Sequence, residues 1–303
     1  MSATTTEADV LVVGAGPAGV AATMMAASLN LQTLVVEAGP VAGKLHTIGA
    51  LENVPGGWST GPQLATALAS DLACLQKSGR CSVIQARAVE VRGLDDRAEL
   101  VLDDGRVLGA QTIVVATGVA AQTPSDADWV SASAELSPPP LWRAVPQDLL
   151  GRTYVLGGDR PLGTWLRTHP ATSTTLHVLC PPADEYKVAE VSSDERVRIV
   201  PVSHVVLSRP PYGDDWSVEV EDRHGERKTY AAGTVLSNLG NTPAALTGLA
   251  VSADGYCLPE QQHSRIQIAG DLRSARYQRI LTAQGSGAEA VLASYYATAC
   301  GPS

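Results

Sequence analysis

The 303-residue chain contains no phenylalanine, so its cores must be aliphatic, with eight Tyr and five Trp as the only large aromatics. It has no stripe of lysine and arginine. With a net charge of −9 it lacks the electrostatic footprint of a nucleic-acid reader. The acidic balance also counts, weakly, against docking a strongly acidic electron carrier. No run of apolar residues is long enough to span a bilayer. Met1–Asp9 is polar without a basic n-region, and Val10–Val13 is too short for a signal core, so the expectation is a soluble, cytoplasmic protein. The five cysteines (Cys74, Cys81, Cys180, Cys257, Cys300) form no C-x-x-C and no metal-ligand spacing, and none of the six histidines has such a spacing either. Reduced, unrelated thiols and no metal are the reading. What remains is a composition with 45% hydrophobic residues, 17% charged residues and 28 glycines that recur at strand ends. That composition suits one large or two medium globular domains.

The glycines carry the first chemical signal. Ala8–Gly14 reads as a buried strand, Gly14-Ala15-Gly16-Pro17-Ala18-Gly19 as a turn, the Ala-rich stretch to about Leu29 as a helix, and Gln32–Glu37 as a second strand ending in an acid. In such a unit Gly14 allows the tight turn, Gly16 the close approach of a pyrophosphate, and Gly19 the packing of helix on strand. The helix start offers free N–H groups and the positive end of its dipole. Glu37, 18 residues beyond Gly19, can accept from both ribose hydroxyls and repels a 2′-phosphate. The nucleotide is therefore FAD or NAD rather than NADP.

Further along, Pro62–Ser78 has helical spacing. Val83–Val91, Ala98–Leu102 and Thr112–Ala116 read as strands, with Asp103-Asp104-Gly105 as a hairpin turn and Ala116-Thr117-Gly118 closing the third run. A second nucleotide-like unit opens with Tyr154-Val155-Leu156 and the turn Gly157-Gly158-Asp159, followed by a helix at Leu162–Thr168 and a strand at Thr174–Leu179. Val197–Val206, Trp216–Val220 and Thr229–Leu236 are further strands. The chain then returns through Gly240–Thr242 to Ile266–Asp271 and a closing helix at Ala288–Ala299. The linkers are Ala120–Asp128 and Asn238–Pro243, and Ser137–Pro140 is a stiff loop. The expected fold is α/β: two Rossmann-like, three-layer ββα nucleotide-binding domains, the second (120–240) inserted into the first (1–119 and 241–303).

These motifs, in this order, resemble the low-molecular-weight thioredoxin reductase family over nearly the whole chain. Beside Gly14–Gly19 stand Ala42-Gly43-Lys44-Leu45, Glu52-Asn53-Val54-Pro55-Gly56, Ala116-Thr117-Gly118, Gly240-Asn241-Thr242-Pro243, Ala269-Gly270-Asp271 and Ala283-Gln284-Gly285-Ser286-Gly287. The resemblance implies FAD, with its pyrophosphate at Gly14, Gly16, Pro17, Ala18 and Gly19 and its adenosine ribose at Glu37. It carries the ribityl chain and phosphate to Gly270 and Asp271, and the flavin ring to Asn53. Lys44, Leu45, Thr117, Gly118, Gln278, Arg279 and Ile280 fall at the remaining cofactor positions. The final helix would start near the flavin pyrimidine edge, where its dipole stabilises negative charge by up to ~2 kcal/mol. Lys44, His46 and Arg279 are the candidate catalytic groups. A two-fold homodimer joined through the FAD domains is implied by analogy.

The departures from the family bear on function. Its Cys-x-x-Cys would fall near Leu141 and Ala144, and neither is a thiol. Disulfide exchange needs an attacking thiolate, so reduction of thioredoxin by the family route is excluded. In the second unit Leu156 and Pro161 replace a Gly and an Ala of the family's nucleotide turn. Cys180-Pro181-Pro182 stands where the family's His-Arg-Arg clamps the 2′-phosphate of NADPH. Gly157, Gly158 and Asp159 remain as nicotinamide-dinucleotide candidates, and whether NAD(P)H binds is left open. The leading reading is an FAD-dependent oxidoreductase acting on a small molecule without disulfide chemistry. The alternatives are an NAD(P)H-dependent reductase serving a ferredoxin- or flavodoxin-like carrier, and a flavin-binding protein without turnover.

Overall fold

The structure is a computed structural model that describes residues 7–133, 135–209 and 215–299. The polar start at Met1–Thr6 and Cys300 lie outside the described residues. Two compact units are present: Met1–His46, Leu51–Ala120 and Thr242–Ser303 form unit 1, while Thr47–Ala50 and Ala121–Asn241 form unit 2.

Unit 1 is built on a seven-stranded sheet. Its strands are β1 (Glu7–Val13), β2 (Thr33–Glu37), β3 (Cys81–Gln85), β4 (Ala88–Gly93), β5 (Ala98–Leu102), β6 (Val107–Val115) and β17 (Ile266–Ile268). The order is β3-β2-β1-β6-β5-β4, with β17 added to the far end of β6. β1 runs parallel to β2 and β6, whereas β4, β5 and β6 pair antiparallel. Alternation along β1 divides the two cores. Val10 and Val12 meet the helices α1 (Pro17–Ser28), α2 (Gly61–Lys77) and α5 (Ile280–Ala299), and Leu11 and Val13 meet the core under β4 and β5.

The helix layer is close-packed because its residues are small. α1 buries Ala18, Gly19, Val20, Ala22, Thr23, Ala26 and Ala27. A Cβ on Gly287 of α5 would lie 2.0 Å from the Ala18 carbonyl oxygen, so only glycine allows these two helices to approach as they do. α2 begins in a capping box: Thr60 Oγ1 accepts from the Gln63 N–H while the Gln63 side chain accepts from the Thr60 N–H.

The chain leaves unit 1 at β7 (Val119–Ala121) and returns at β16 (Asn241–Pro243). Unit 2 has three layers of its own. A parallel sheet runs in the order β11-β10-β9-β15, from β9 (Thr153–Leu156), β10 (Leu176–Cys180), β11 (Val197–Pro201) and β15 (Thr234–Ser237). One face is covered by α3 (Pro161–Thr168) and α4 (Glu185–Val188), around Leu162, Trp165, Leu166 and Val188. Against the other face packs a second sheet, β14-β13-β12-β8, from β8 (Val130–Ala132), β12 (His204–Ser208), β13 (Trp216–Glu221) and β14 (Arg227–Ala232). The architecture is the expected α/β one.

Three of the expected strands are each two strands. Val83–Val91 divides between β3 and β4, at opposite edges of the unit 1 sheet. Ala86 N–H closes β3 on Glu37 O, and Arg87 O accepts from Asp103 N–H beside β5. Val197–Val206 divides between β11 and β12, with Val202 buried in the corner. Thr229–Leu236 divides at Gly233, where a Cβ would sit 2.3 Å from Leu150 O. In each case the chain passes from one sheet, or one sheet edge, to another while apolar alternation continues. The closing helix is also longer than expected. It starts at Ile280, and the glycines expected as a turn lie inside it, Gly287 packed against Ala18 of α1 and Gly285 facing open space.

Candidate functional site

The glycine turn of unit 1 shows what each glycine does. Gly14 has φ +97°, donates to Val36 O at 2.8 Å, and leaves no room for a Cβ, which would fall 2.6 Å from Ala116 O. Gly19 sits against the turn itself, 1.8 Å from Gly14 O on the same measure. Gly16 is the opposite case: a Cβ there would meet nothing within 4 Å. Pro17 occupies the first helical position, where no N–H is needed. Among the described residues nothing accepts from the N–H groups of Gly16, Ala18 and Gly19. Free donors, an open approach and the positive end of a 12-residue helix make an anion cradle. The residues present therefore fit the pyrophosphate of a dinucleotide.

Glu37 is half-buried at the end of β2 and does more than the sequence suggests. Its Oε2 accepts from Ala15 N–H at 2.6 Å and its Oε1 from Gly39 N–H at 2.7 Å. Each oxygen keeps a lone pair for a ribose hydroxyl. The next loop is tied to the same turn, with Ala42 N–H donating to Ala15 O at 2.9 Å. Ala42 adopts φ +53°, a left-handed conformation that glycine takes more readily. The following 3₁₀ turn, Gly43–Thr47, buries Leu45 and exposes Lys44 and His46. Lys44 Nζ reaches Val119 O at 3.3 Å, beside Thr117 and Gly118. Thr117 Oγ1 donates to Ala244 O, and Gly118 turns at φ +65°. Asn53 lies exposed in the bend at Glu52–Gly57.

The returning chain brings Gly270, at φ +74°, onto the start of α1, where a Cβ would lie 2.9 Å from that of Ala18. Gly270 N–H is held by Ser286 Oγ, which itself donates to Ala283 O. Asp271 follows in the turn Gly270–Arg273. A cavity of ≈ 350 Å³ opens here, lined by Gly270, Arg273, Ser274, Tyr277, Thr282 and Ser286. Gln278 Nε2 donates to Tyr256 Oη at 3.0 Å, Arg279 is exposed and folds back on Gln278 O, and Ile280 begins α5. The fold thus brings Gly14–Gly19, Glu37, Ala116–Gly118 and Gly270 to one end of the unit 1 sheet. Sequence reasoning missed Ser286 and Tyr256 as holders of Gly270 and Gln278. Ser286 was visible only as one member of a small-residue motif.

In unit 2 the corresponding turn is arranged differently. Gly157 has φ +86°, and Gly158 N–H donates to Asp184 Oδ2 at 2.9 Å. Asp159 is 8% exposed. Lys187 Nζ lies 2.8 Å from Asp184 Oδ1 and 3.4 Å from Asp159 Oδ1. Burial alone would lower the Lys187 pKa, but these two carboxylates outweigh it and hold the ammonium above its usual range. Asn238 Nδ2 donates to the carbonyls of Gly157 and Asp159. Burial, with Asp184 nearby, pushes the Cys180 thiol up to about 11.

Comparison with known proteins agrees with this geometry. Residues 9–123 match the model of the FAD dependent oxidoreductase family. A thioredoxin reductase of Mycoplasma pneumoniae is 35% identical over 112 residues, 37% of this chain and 34% of its own length. A bifunctional thioredoxin reductase/thioredoxin of Mycobacterium leprae is 26% identical over 94% of this chain and 64% of its own. The matches thus span about a third and under two thirds of these relatives. The crystal structure of Lactococcus lactis thioredoxin reductase superposes with a TM-score of 0.71 at 20% identity, covering 95% of this chain and 98% of that one. The chain has the two-domain thioredoxin reductase fold. The match and the relatives support an oxidoreductase, and the cofactor they imply is FAD. No described helix is long and apolar enough to cross a membrane, and no group of three or more potential metal ligands occurs among the described residues.

Proposed function

We propose that this chain is an FAD-dependent oxidoreductase that acts on a small organic substrate without disulfide chemistry. The observation that carries this reading is the contrast between two places. The unit 1 glycine turn keeps the N–H donors of Gly16, Ala18 and Gly19 open to an anion. The positions where a redox-active pair would stand are Leu141, 0% exposed, and Ala144, 6% exposed. Both are packed in the unit 2 core with Trp165, whose Nε1–H donates to Ala144 O at 2.7 Å. The described cysteines are free, and Cys81, Cys257 and Cys180 lie in three separate cores.

On this reading Gly16, Ala18 and Gly19 hold the pyrophosphate, Glu37 the adenosine ribose, and Gly270 and Asp271 the ribityl end. Bound FAD supplies hydride and single-electron transfer. The protein's part is to bind, orient and tune. The start of α5 places a dipole and the Gln278–Arg279 main chain at the cofactor end of the sheet, and Lys44 adds a cation beside Val119. Lys44, His46 and Arg279 are the groups proposed to meet the substrate. The same reading takes the protein to be cytoplasmic and a homodimer paired through unit 1, where exposed Met24, Leu281 and Tyr296 offer apolar surface.

The test is the absorbance spectrum of the purified protein, followed by a screen of small-molecule donors under anaerobic conditions. One FAD per chain, bleached by an organic donor and inert toward thioredoxin, is the expected result. A colourless protein that takes up no added FAD overturns the reading, as does reduction of thioredoxin.

A further inference from the structure

We infer that unit 2 carries an oxyanion site of the phosphate class, made by Arg152, His177 and Arg198 with the hydroxyls of Tyr154 and Tyr230. Strand register brings these residues together. Tyr154 on β9, His177 on β10 and Arg198 on β11 are direct neighbours across the parallel sheet, so their side chains leave the same face. That face is the one the second sheet covers, because Leu156, Leu179 and Val200, two residues further along each strand, pack in the core between the sheets. Tyr230 of β14 comes over the row from the second sheet, its ring centroid 5.9 Å from that of Tyr154, and the Tyr154 and His177 rings lie 5.3 Å apart. Arg152, just before β9, holds its guanidinium 5.1 Å from the Tyr230 ring and 5.8 Å from the Tyr154 ring.

These groups lack the partners such groups ordinarily have. Among the described residues neither Arg152 nor Arg198 pairs with a carboxylate, and the side chains of His177, Tyr154 and Tyr230 have no hydrogen-bond partner. Elsewhere in unit 2, Arg196 is paired with Asp194, Arg223 with Glu185 and Arg227 with Glu221. In a chain of net charge −9, two guanidiniums beside one histidine with no acid between them reverse the local charge. Tyr154 is 2% exposed, and a hydroxyl so placed without a partner is an unfilled hydrogen-bonding position that a ligand completes. Burial first, and then the charges of Arg152 and Arg198, hold His177 below its usual range. Burial raises the Tyr154 phenol against the pull of the same two arginines.

The arrangement favours a phosphate over a carboxylate. A carboxylate presents its oxygens in one plane and is satisfied by one guanidinium fork. Here the donors stand on both sides of His177, with Arg152 and the tyrosines toward β9 and Arg198 on β11. A phosphate has acceptor oxygens enough to meet all of them. The site rests on unit 2 alone and stands whether or not the flavin reading holds.

The test is a titration of inorganic phosphate into the full-length protein as purified, at an ionic strength held constant with chloride. It is read from the imidazole C–H signals by NMR, with His177→Gln assigning the His177 signal. A saturable shift of that signal with a Kd of about 1 mM or tighter is expected, and His177 should titrate at higher pH with phosphate present. Replacing both arginines, Arg152→Gln with Arg198→Gln, is expected to weaken phosphate about tenfold or more while the circular dichroism stays unchanged. No shift of His177, or one that does not saturate, overturns the inference, as does an unchanged Kd in the double variant. If the double variant does not fold, Arg198→Gln alone, at an exposed residue, is read in the same way. Phosphate that binds only at the unit 1 glycine turn leaves the His177 signal in place and also overturns it.

Discussion

The carboxylate of Glu37 accepts the main-chain N–H of Ala15 at 2.6 Å, joining the end of the second strand to the middle of the glycine turn. Its other oxygen holds Gly39 N–H. One side chain thus shapes the turn and, on the proposed reading, carries the negative charge that would meet the adenosine ribose. Glu37→Ala removes two charge-assisted hydrogen bonds, each worth about 1.5–3 kcal/mol. The FAD content of the isolated protein, read from its visible and ultraviolet absorbance, is expected to fall at least tenfold.

Glycine substitutions separate binding from folding. Gly19→Ala and Gly287→Ala each drive a methyl into backbone, and each is expected to destabilise by about 3 kcal/mol or more. Gly16→Ala meets nothing, and its stability is expected to stay within about 0.5 kcal/mol of wild type while FAD affinity drops. Thermal melts beside flavin titration distinguish the two classes. A Gly16→Ala protein that binds FAD normally would remove the turn from the site.

Leu141 tests whether the residue at the missing-thiol position is structural. It is fully buried with Leu162 and Trp165, so Leu141→Ala is expected to cost about 2–5 kcal/mol. Denaturant unfolding followed by Trp fluorescence reads this. A cost under 1 kcal/mol would place Leu141 at a mobile surface instead.

Cys180 supplies a pH dependence. Its thiol rises from an ordinary 9.0 to about 11, chiefly through burial. In the unfolded chain the thiol ionises first, so the stabilisation is complete below pH 9 and is lost as pH climbs toward 11. Between pH 8 and 10 wild type should lose more of its urea midpoint than Cys180→Ala does. Equal slopes would contradict the burial of this sulfur. At pH 8, in a Cys300→Ser background, a thiol reagent should label Cys74 quickly and Cys81, Cys180 and Cys257 slowly.

The β1–turn–α1–β2 unit was legible because its signals are local: strand, glycines and acid follow one another, and each residue is explained by its neighbours. The strand breaks near Ala86, Val202 and Gly233 were not, because apolar alternation runs across them and only tertiary pairing decides which sheet each half joins. The hydrogen bond that Asp184 accepts from Gly158 was half legible. The proline pair after β10 pointed to a lost phosphate clamp, but the return of Asp184 to the turn depends on α4 folding over it. The exposure of Lys44, His46 and Arg279 gives these candidate groups access to solvent without joining them into a catalytic constellation.

The pairing of β17 with β6 has a consequence for synthesis. Ile113, paired with Leu11 on one side, finds its neighbour on the other only when Ile266 has been translated, and α1 gains its tight partner only with Gly287. Unit 2 is almost contiguous, so it can fold on the ribosome while the first half of unit 1 waits with one edge bare. A chain halted before residue 260 would leave one edge of the β6 tip bare beside a half-covered layer of alanines, a surface on which chaperones and proteases act.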